Sequence, residues 1–356
     1  MAEKLSLKEV KCSNCGADVQ YLPGLVVSVC GYCGSKFTVD APATDVTVDV
    51  PDLITPFAVT REKFLSAIRA WLSAGDYTPD DVLSAEIETK GTFLPFYAWS
   101  GDYKADWFAS SGYDRQEEYL EMNDGKLVKK RRTVTDWRPS NGVINGKYVV
   151  YTLASDSIDQ SLAGFCEEVP PSSAASFDPK QITGYTLEPF EKDQTEFLSR
   201  IEKEVDSIAE AKAMPLVPGD RKKDLTCSTQ LLSQNCNRVY LPFWVTTFIY
   251  SGKPFRCIVD GMNAGRIIGQ RPEDPDRIRK AKRLLLPGKI AWIVTAVALI
   301  GLPLAGMHFL ADTHKWVMLG LIGSSALLSI AGSIAKASML SKSRKLRQHI
   351  LAQMDK

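Results

Sequence analysis

The chain has 356 residues, a formal net charge of +1, 45% hydrophobic residues and 24% charged ones. That length suggests about two to three domains, and the balance of charged and apolar residues excludes a wholly disordered chain. All three histidines, His308, His314 and His349, lie near or after the C-terminal apolar runs. The preceding body therefore has no Ser–His or Cys–His nucleophile pair, no His-ligated catalytic zinc and no His general base.

No Gly-x-Gly-x-x-Gly opens a helix and no phosphate-binding Gly-x-x-x-x-Gly-Lys-Ser/Thr occurs. Carboxylate chemistry stays open, because acidic residues are numerous. The near-neutral total hides an asymmetry: after Arg283 there are eight basic and two acidic residues, so the first 283 carry a net charge of −5.

The N-terminus, Met1 to Val10, is charged and lacks the apolar core of a secretory signal. Two Cys-x-x-Cys-Gly units follow at once, Cys12-Ser-Asn-Cys15-Gly16 and Cys30-Gly-Tyr-Cys33-Gly34. Zn²⁺ prefers four thiolates in a tetrahedron, and each turn places two sulfurs on one side of the ion. The glycine after each pair permits a positive φ, which lets backbone N–H groups point at the sulfurs. Val26–Val29 and Lys36–Val39 read as strands between and after the pairs. The spacing predicts a zinc ribbon over residues 1–40, with Cys12, Cys15, Cys30 and Cys33 holding one structural Zn²⁺. Redox pairs or disulfides are the competing reading; no helix pattern follows either motif, and the compartment inferred below is reducing. A closed four-thiolate site leaves no open position for catalysis. The ribbon has few basic residues, Lys4, Lys8, Lys11 and Lys36, against Glu3, Glu9, Asp18 and Asp40. A protein partner is expected rather than nucleic acid. Cys166, Cys227, Cys236 and Cys257 have no ligand spacing and read as buried apolar residues.

Residues 41–50 read as a linker. Beyond them, three pairs of segments match in order. Pro56-Phe57 leads into a helix with Phe64, Ile68 and Trp71 on one face; Pro189-Phe190 leads into one with Phe197, Ile201 and Val205. Phe93-Leu-Pro-Phe-Tyr97 and Tyr240-Leu-Pro-Phe-Trp244 open strands that reach Ser-Gly turns at Ser100-Gly101 and Ser251-Gly252. Met122-Asn-Asp-Gly-Lys-Leu-Val128 and Met262-Asn-Ala-Gly-Arg-Ile-Ile268 read as hairpin turns. The pattern predicts two duplicated helix-plus-antiparallel-sheet modules, residues 51–165 and 186–272, joined through the Pro/Ser-rich stretch 169–176. Phe96, Tyr97, Trp99, Phe243 and Trp244 are expected in the sheet core, with a peptide groove as the alternative. Lys126 and Lys129–Arg132 are expected on a solvated hairpin edge balanced by Glu117, Glu118, Glu121 and Asp124.

Ile290 to Leu310 and Trp316 to Ala335 are free of charged residues. Each is long enough to span hydrocarbon of about 30 Å, with Trp292 and Trp316 near segment ends. A loop, 311–315, joins them, so residues 290–335 read as an antiparallel transmembrane helical hairpin. Pro303 is expected to kink its first helix. Basic residues flank both outer ends, which places both termini in the cytoplasm under an inner membrane. The basic tail, 336–356, either lies on anionic lipid or serves only to fix topology. Gly320, Ser324, Ser329 and Ser333 read as small residues that allow close helix approach.

On the two Cys-x-x-Cys-Gly units, the Leu241-Pro-Phe-Trp244 run with Ser251-Gly-Lys253, Asp260-Gly261 to Arg271-Pro272, and the C-terminal apolar segments, the chain resembles a group of bacterial membrane-anchored zinc-ribbon proteins. Their ribbon is similar to that of a general transcription factor, and some are labelled replication helicases. Without a nucleotide-binding motif the helicase label does not carry over. The reading is thus an α+β protein acting as a non-enzymatic, membrane-anchored scaffold for protein partners or for self-association, with the bilayer as a further partner. No small-molecule substrate is evident. The alternatives are a nucleic-acid tether acting through the ribbon and the 126–132 strand, or a carboxylate enzyme with a cleft between the modules.

Overall fold

The computed structural model describes residues 4–14, 16–23, 27–31, 35–38, 43–123, 126–168, 174–304 and 311–354. It is an α+β structure with antiparallel sheets and an apolar C-terminal helix. The strands β1 (Lys4–Lys11), β2 (Asp18–Tyr21), β3 (Val27–Val29), β4 (Lys36–Thr38), β5 (Thr44–Asp49) and β6 (Leu53–Ile54) precede helix α1 (Arg61–Ala74). Then come two long strands, β7 (Ile87–Asn123) and β8 (Lys126–Leu153), and helix α2 (Gln160–Glu167). After β9 (Ala175–Ser176), β10 (Thr186–Leu187) and α3 (Leu198–Ala213) follow β11 (Arg221–Leu231), β12 (Asn235–Tyr250), β13 (Lys253–Asp260) and β14 (Ile267–Gly269). Two helices finish the chain, α4 (Pro275–Leu304) and α5 (Ala311–Met354).

The chain forms two compact units, Met1–Ala58 with Lys90–Phe243, and Val59–Thr89 with Trp244–Lys356. These cut across the modules read from the sequence. In the first unit β1 lies between β2 and β5. Residues 44–49, expected in a linker, are therefore a sheet strand, with Leu7 opposite Val46 and Leu5 opposite Val48. Alternating residues of this strand and of β1 reach the core, where Leu7 and Val48 pack with Ile54, Phe93, Ile182, Leu187 and Tyr240. At the end of the Pro/Ser-rich stretch, Ala175–Ser176 pairs with β6; residues 169–173 lie outside the described ones.

The first unit's other core lies between α3 and the sheet. Ile201, Val205 and Ala209 recur at helical spacing and pack on Tyr97, Trp99, Tyr103 and Tyr148. Asp193 starts this helical segment with a capping box completed by Glu196. All five predicted sheet aromatics, Phe96, Tyr97, Trp99, Phe243 and Trp244, are buried.

The second unit contains α1, capped by the Thr60 hydroxyl, which accepts from the Lys63 amide. Phe64, Ile68 and Leu72 form its buried face; Trp71 is half-buried and carries the Arg271 guanidinium at 4.0 Å from its ring. Phe64 stacks on Trp244 at 5.1 Å, and the Trp244 indole N–H donates to the Val59 carbonyl. The turn at Ser251-Gly252 is present, with φ of 49° and 74°. The β13–β14 turn is closed by Arg266 N–H to the Asn263 carbonyl and by the Asn263 side chain accepting from Gly265 N–H.

The Ser100-Gly101 turn is not formed. β7 runs straight through it, with Gly101 opposite Tyr148. Glycine is needed there for space: a Cβ at Gly101 would lie 1.9 Å from the Ser233 carbonyl oxygen. The Ser233 hydroxyl accepts from the Asp102 amide and donates to the Asp102 carboxylate, which holds that loop against the strand. Gly101→Ala is expected to destabilise the protein by about 2–3 kcal/mol through forced backbone displacement, measurable by chemical denaturation of the purified chain.

Candidate functional site

Cys12 ends β1 and Cys30 follows β3, and both side chains are buried in one cluster with Val10, Val19 and Tyr21. The turns that follow them are alike. Cys12 N–H donates to the Ala17 carbonyl at 2.8 Å, and Cys30 N–H donates to the Ser35 carbonyl at 2.9 Å, a five-residue closure in each case. Gly16 donates back to the Cys12 carbonyl and takes φ of +74°, the conformation expected after the first cysteine pair. The Cys12 sulfur lies 3.6 Å from the Ser35 hydroxyl, which brings the first turn to the second. β3 and β4 form the second hairpin, Val27 opposite Thr38 and Val29 opposite Lys36.

Cys15, Cys33 and Gly34 lie outside the described residues. Among the described residues no group of three or more His, Cys, Asp or Glu side chains is placed to hold a metal. The donors in view nonetheless fit a four-thiolate ion: two thiols buried together, each at the head of the same kind of turn.

The sequence gives no hint that this region is clamped to the rest of the first unit. The clamp is the segment Ile182–Leu187. Gly184 N–H donates to the Gln20 carbonyl, Gln20 N–H to the Tyr185 carbonyl, and Gly31 N–H to the Gly184 carbonyl at 2.9 Å. The Gln20 side-chain oxygen accepts from Leu187 N–H, and the Thr186 hydroxyl donates to the Asp18 carbonyl. Gly184 sits at φ +90°, and a Cβ there would meet the Val29 carbonyl at 2.2 Å. Burial pushes the Tyr185 phenol up, and the nearby Cys30 adds to the shift. The remaining cysteines behave as expected for apolar residues: Cys166 and Cys257 are buried, Cys227 and Cys236 half-buried. Burial pushes the Cys257 thiol up to about 12, which keeps it protonated near neutrality.

A second set of side chains holds the C-terminal helices to the second unit. The basic tail is not a separate element: residues 336–354 continue α5. Arg347 is completely buried there. Its Nε donates to the Ser73 carbonyl at 3.0 Å, Nη2 to the Gly75 carbonyl, and Nη1 to the Thr78 carbonyl, the Ser343 hydroxyl and the Asp80 carboxylate. These carbonyls close the C-terminal end of α1, where a cation is favoured. Arg277, on α4, donates to the same Thr78 carbonyl at 2.6 Å and to Asp80 at 2.9 Å. Burial works against the charged form of Asp80, but hydrogen bonds from Ser343 and Arg277 and the charges of Arg277 and Arg347 outweigh it. Its carboxyl lies below the ordinary range.

Above this clamp α4 and α5 pack antiparallel. Thr295 and Ser325 share a buried hydroxyl–hydroxyl hydrogen bond of 2.7 Å. Gly288 lies against Ser329, and Gly332 against the Leu284 carbonyl. The contact stripe is thus Ser325, Ser329 and Gly332; Gly320 and Ser324 face outward. Residues 305–310 lie outside the described ones. Leu319–Met354 of α5 is long and apolar enough to cross a membrane, with 6% of its most apolar window buried. On α4, Ile290, Trp292, Ile293, Val294 and Val297 are likewise exposed.

Three cations of the basic strand pair within its own hairpin. Arg132 pairs with Glu117, Arg131 with Glu118 and Lys130 with Glu121, at 2.7–2.9 Å. A cleft of about 1050 Å³ in the second unit is lined by Asp80, Asp81, Tyr250, Arg271 and Arg277 among others. One of its carboxylates, Asp80, is shifted down, the wrong direction for a general acid. Compared with known proteins, the chain matches no family model, no curated protein and no solved structure.

Two outcomes follow from these contacts. Gly184→Ala strains a left-handed residue against the Val29 carbonyl and is expected to raise hydrogen exchange across residues 18–31 while leaving α3 protected. Arg347→Ala removes a fully buried cation from three carbonyls and a carboxylate, and is expected to cost about 3 kcal/mol in denaturant unfolding. For Asp80 the sign is that of a depressed carboxyl. Its contribution is present above the ordinary Asp value and is lost as pH falls through the lower, folded one. The stability gap between wild type and Asp80→Asn should therefore be full at neutral pH and close only in strong acid.

Proposed function

We propose that this chain is a membrane-anchored zinc-ribbon protein that works as a non-enzymatic platform for protein assembly in the cytoplasm. The observation that carries the anchor is the exposed apolar surface of α5. An apolar 18-residue stretch that is almost wholly unburied has no stable place in water. With α4 packed antiparallel against it through Thr295–Ser325, the two apolar runs form one transmembrane hairpin. The basic flanks then place both termini in the cytoplasm.

The zinc reading is supported by the twin turns at Cys12 and Cys30 and by the burial of both thiols together. Zn²⁺ held by Cys12, Cys15, Cys30 and Cys33 would supply structure and no catalysis, since four thiolates leave it no open position. Because the ribbon is clamped by Gly184 and Gln20, it presents a fixed surface, as a docking element needs. The nucleic-acid alternative is weakened, because Lys130, Arg131 and Arg132 of the 126–132 strand are already paired with carboxylates of their own hairpin.

Duplication is supported by equivalent contacts. Phe57 meets Phe93 at 5.1 Å, and Phe190 meets Tyr240, their counterparts, at 5.4 Å. Phe64 packs on Trp244, and its counterpart Phe197 packs on Tyr97. Each helix thus covers the strand of the other repeat.

The decisive experiment is a pull-down of the detergent-solubilised, full-length protein from its native cells, with nuclease treatment, beside Cys30→Ser/Cys33→Ser. A specific protein captured by wild type and lost with the variant is the expected result. Partners that vanish with nuclease would replace the platform by a tether. Metal analysis should find one zinc per chain in wild type and less than a tenth of that in Cys12→Ser. Alkaline carbonate should leave the chain in the membrane pellet.

A further inference from the structure

The hairpin of β7 and β8 outruns the sheet that supports it. β11 accompanies β7 only as far as Gly112, opposite Arg221. Beyond that, β7 and β8 continue alone for eleven residue pairs, from Tyr113 opposite Asp136 to Asn123 opposite Lys126. At about 3.4 Å per residue this is an arm of roughly 37 Å. Its end carries Leu120, Met122, Leu127 and Val128, exposed by 59%, 66%, 65% and 40%. A two-stranded ribbon by itself is marginal in water. Among the described residues, both outer edges of this arm lack a paired strand.

The two strands of the arm differ in charge. The β7 strand carries Asp114, Glu117, Glu118 and Glu121 against Arg115; the β8 strand carries Lys126, Lys129, Lys130, Arg131 and Arg132 against Asp136. Edge charges of this kind block the pairing of like edges. Two β7 edges would set acid against acid, and two β8 edges base against base. One combination remains attractive: the β8 edge of one copy beside the β7 edge of the next. There each carboxylate of the 117–121 region gains a second cation, and opposite-charge neighbours across strands are stabilising. Pro139 on β8 has no N–H to offer a neighbour, so this pairing belongs to the arm and stops near its base.

We propose that the arms of several copies of this chain associate side by side, β8 against β7 of the neighbour, to make a continuous antiparallel sheet. The proposal rests on the membrane-anchor reading in one respect. Anchored copies carry their arms on the same side of the bilayer, which lets the arms lie side by side and point the same way. The descending strand β8 then runs antiparallel to the ascending β7 beside it. Such a contact is heterologous: it closes as a ring of three or more copies and does not stop at a twofold dimer. Neighbouring arms also cover the apolar ends that a single copy leaves in water.

The test uses the full chain in detergent or nanodiscs, with copy number read by native mass spectrometry. Wild type should contain three or more copies and dissociate between about 0.1 M and 1 M salt, since the screening length falls from about 10 Å to 3 Å. Two charge variants separate contacts between chains from contacts within one. The first is Glu117→Lys/Glu118→Lys/Glu121→Lys, with both strands basic. The second is Lys130→Glu/Arg131→Glu/Arg132→Glu, with both strands acidic. Each alone should be monomeric, and the two co-expressed should assemble in alternation. Replacing residues 113–136 by an Asn-Gly turn should also give a monomer with the sheet intact by circular dichroism. A monomeric or strictly dimeric wild type would overturn the proposal. So would an arm-less chain of unchanged copy number, or paired variants that fail to assemble together. Carbonate extraction reads the anchor independently. A chain that stays in the membrane but does not assemble loses only the arm proposal, whereas one that washes off loses the anchor as well.

Discussion

Two aromatic contacts determine how this chain can be divided. Phe64 at the start of α1 stacks on Trp244, and Phe197 at the start of α3 packs on Tyr97. Each helix thus buries its first aromatic against a strand far along the chain, although α3 also packs on the nearby β11. Phe64 and Trp244 are 180 residues apart, and Phe197 and Tyr97 are 100 apart. The compact units are consequently discontinuous in sequence. Each needs residues from both halves of the chain, so neither can be complete before β12 has been made. Such long-range closure is slow and must be repaid by a substantial core. Several of the largest fully buried side chains, Trp244, Tyr103, Tyr240, Phe64 and Phe93, lie in or beside these contacts.

The same logic applies at a finer scale to the N-terminal strands. A three-stranded sheet of short strands, β2-β1-β5, beside the two-stranded β3-β4 has little core of its own. Its stability in this protein comes partly from Leu7 and Val48, which enter the first unit's core, and partly from the Gly184–Gln20 backbone exchange. Gly184 occupies a left-handed conformation with a carbonyl where a side chain would be, so the clamp depends on a residue without a Cβ. Strands held in this way are a surface of the first unit and not a swinging module.

Much of this was legible in the residues. Helical spacing identified the buried faces of α1 and α3, save that Leu72 rather than Trp71 completes the first, and the aromatic runs were correctly assigned to the sheet. Ser251-Gly252 and Ser100-Gly101 show where legibility ended. The two dipeptides are alike, yet only the first has positive φ; at the second, glycine serves to admit the Ser233 carbonyl from a distant loop. Local chemistry permits a turn at both, and tertiary contact decides. Residues 44–49 alternate as a strand does, but a polar decapeptide between two stronger signals reads as a connection until its partner β1 is seen. Of the small residues read in α5, Ser329 meets α4 whereas Gly320, Ser324 and Ser333 face outward, since the register of Gly288 and Thr295 decides which small residues make the contact. The length of the arm was hidden for another reason: charged, alternating strands carry no mark of where their neighbour β11 stops.

The cations flanking the apolar helices show why charge near a membrane has to be read with its partners. Counted along the sequence, Arg277, Arg344 and Arg347 are part of a positive flank that orients a hairpin. In the structure each is committed elsewhere: Arg277 and Arg347 share Asp80 and the Thr78 carbonyl, and Arg344 pairs with Asp76. Arg277 and Arg347 are thereby largely withdrawn from solvent, whereas Arg344 stays half-exposed. Arg277 and Arg347 join α4 and α5 to the end of α1 through one half-buried carboxylate, Asp80, and three carbonyls. A force or displacement on the helices reaches the second unit through that joint. The guanidiniums of this joint are largely buried, Arg347 completely, so it is less exposed to salt screening than the surface ion pairs of the arm. The protein thus places its salt-resistant electrostatics at the base of the helices and its salt-sensitive electrostatics on the edges where copies would meet.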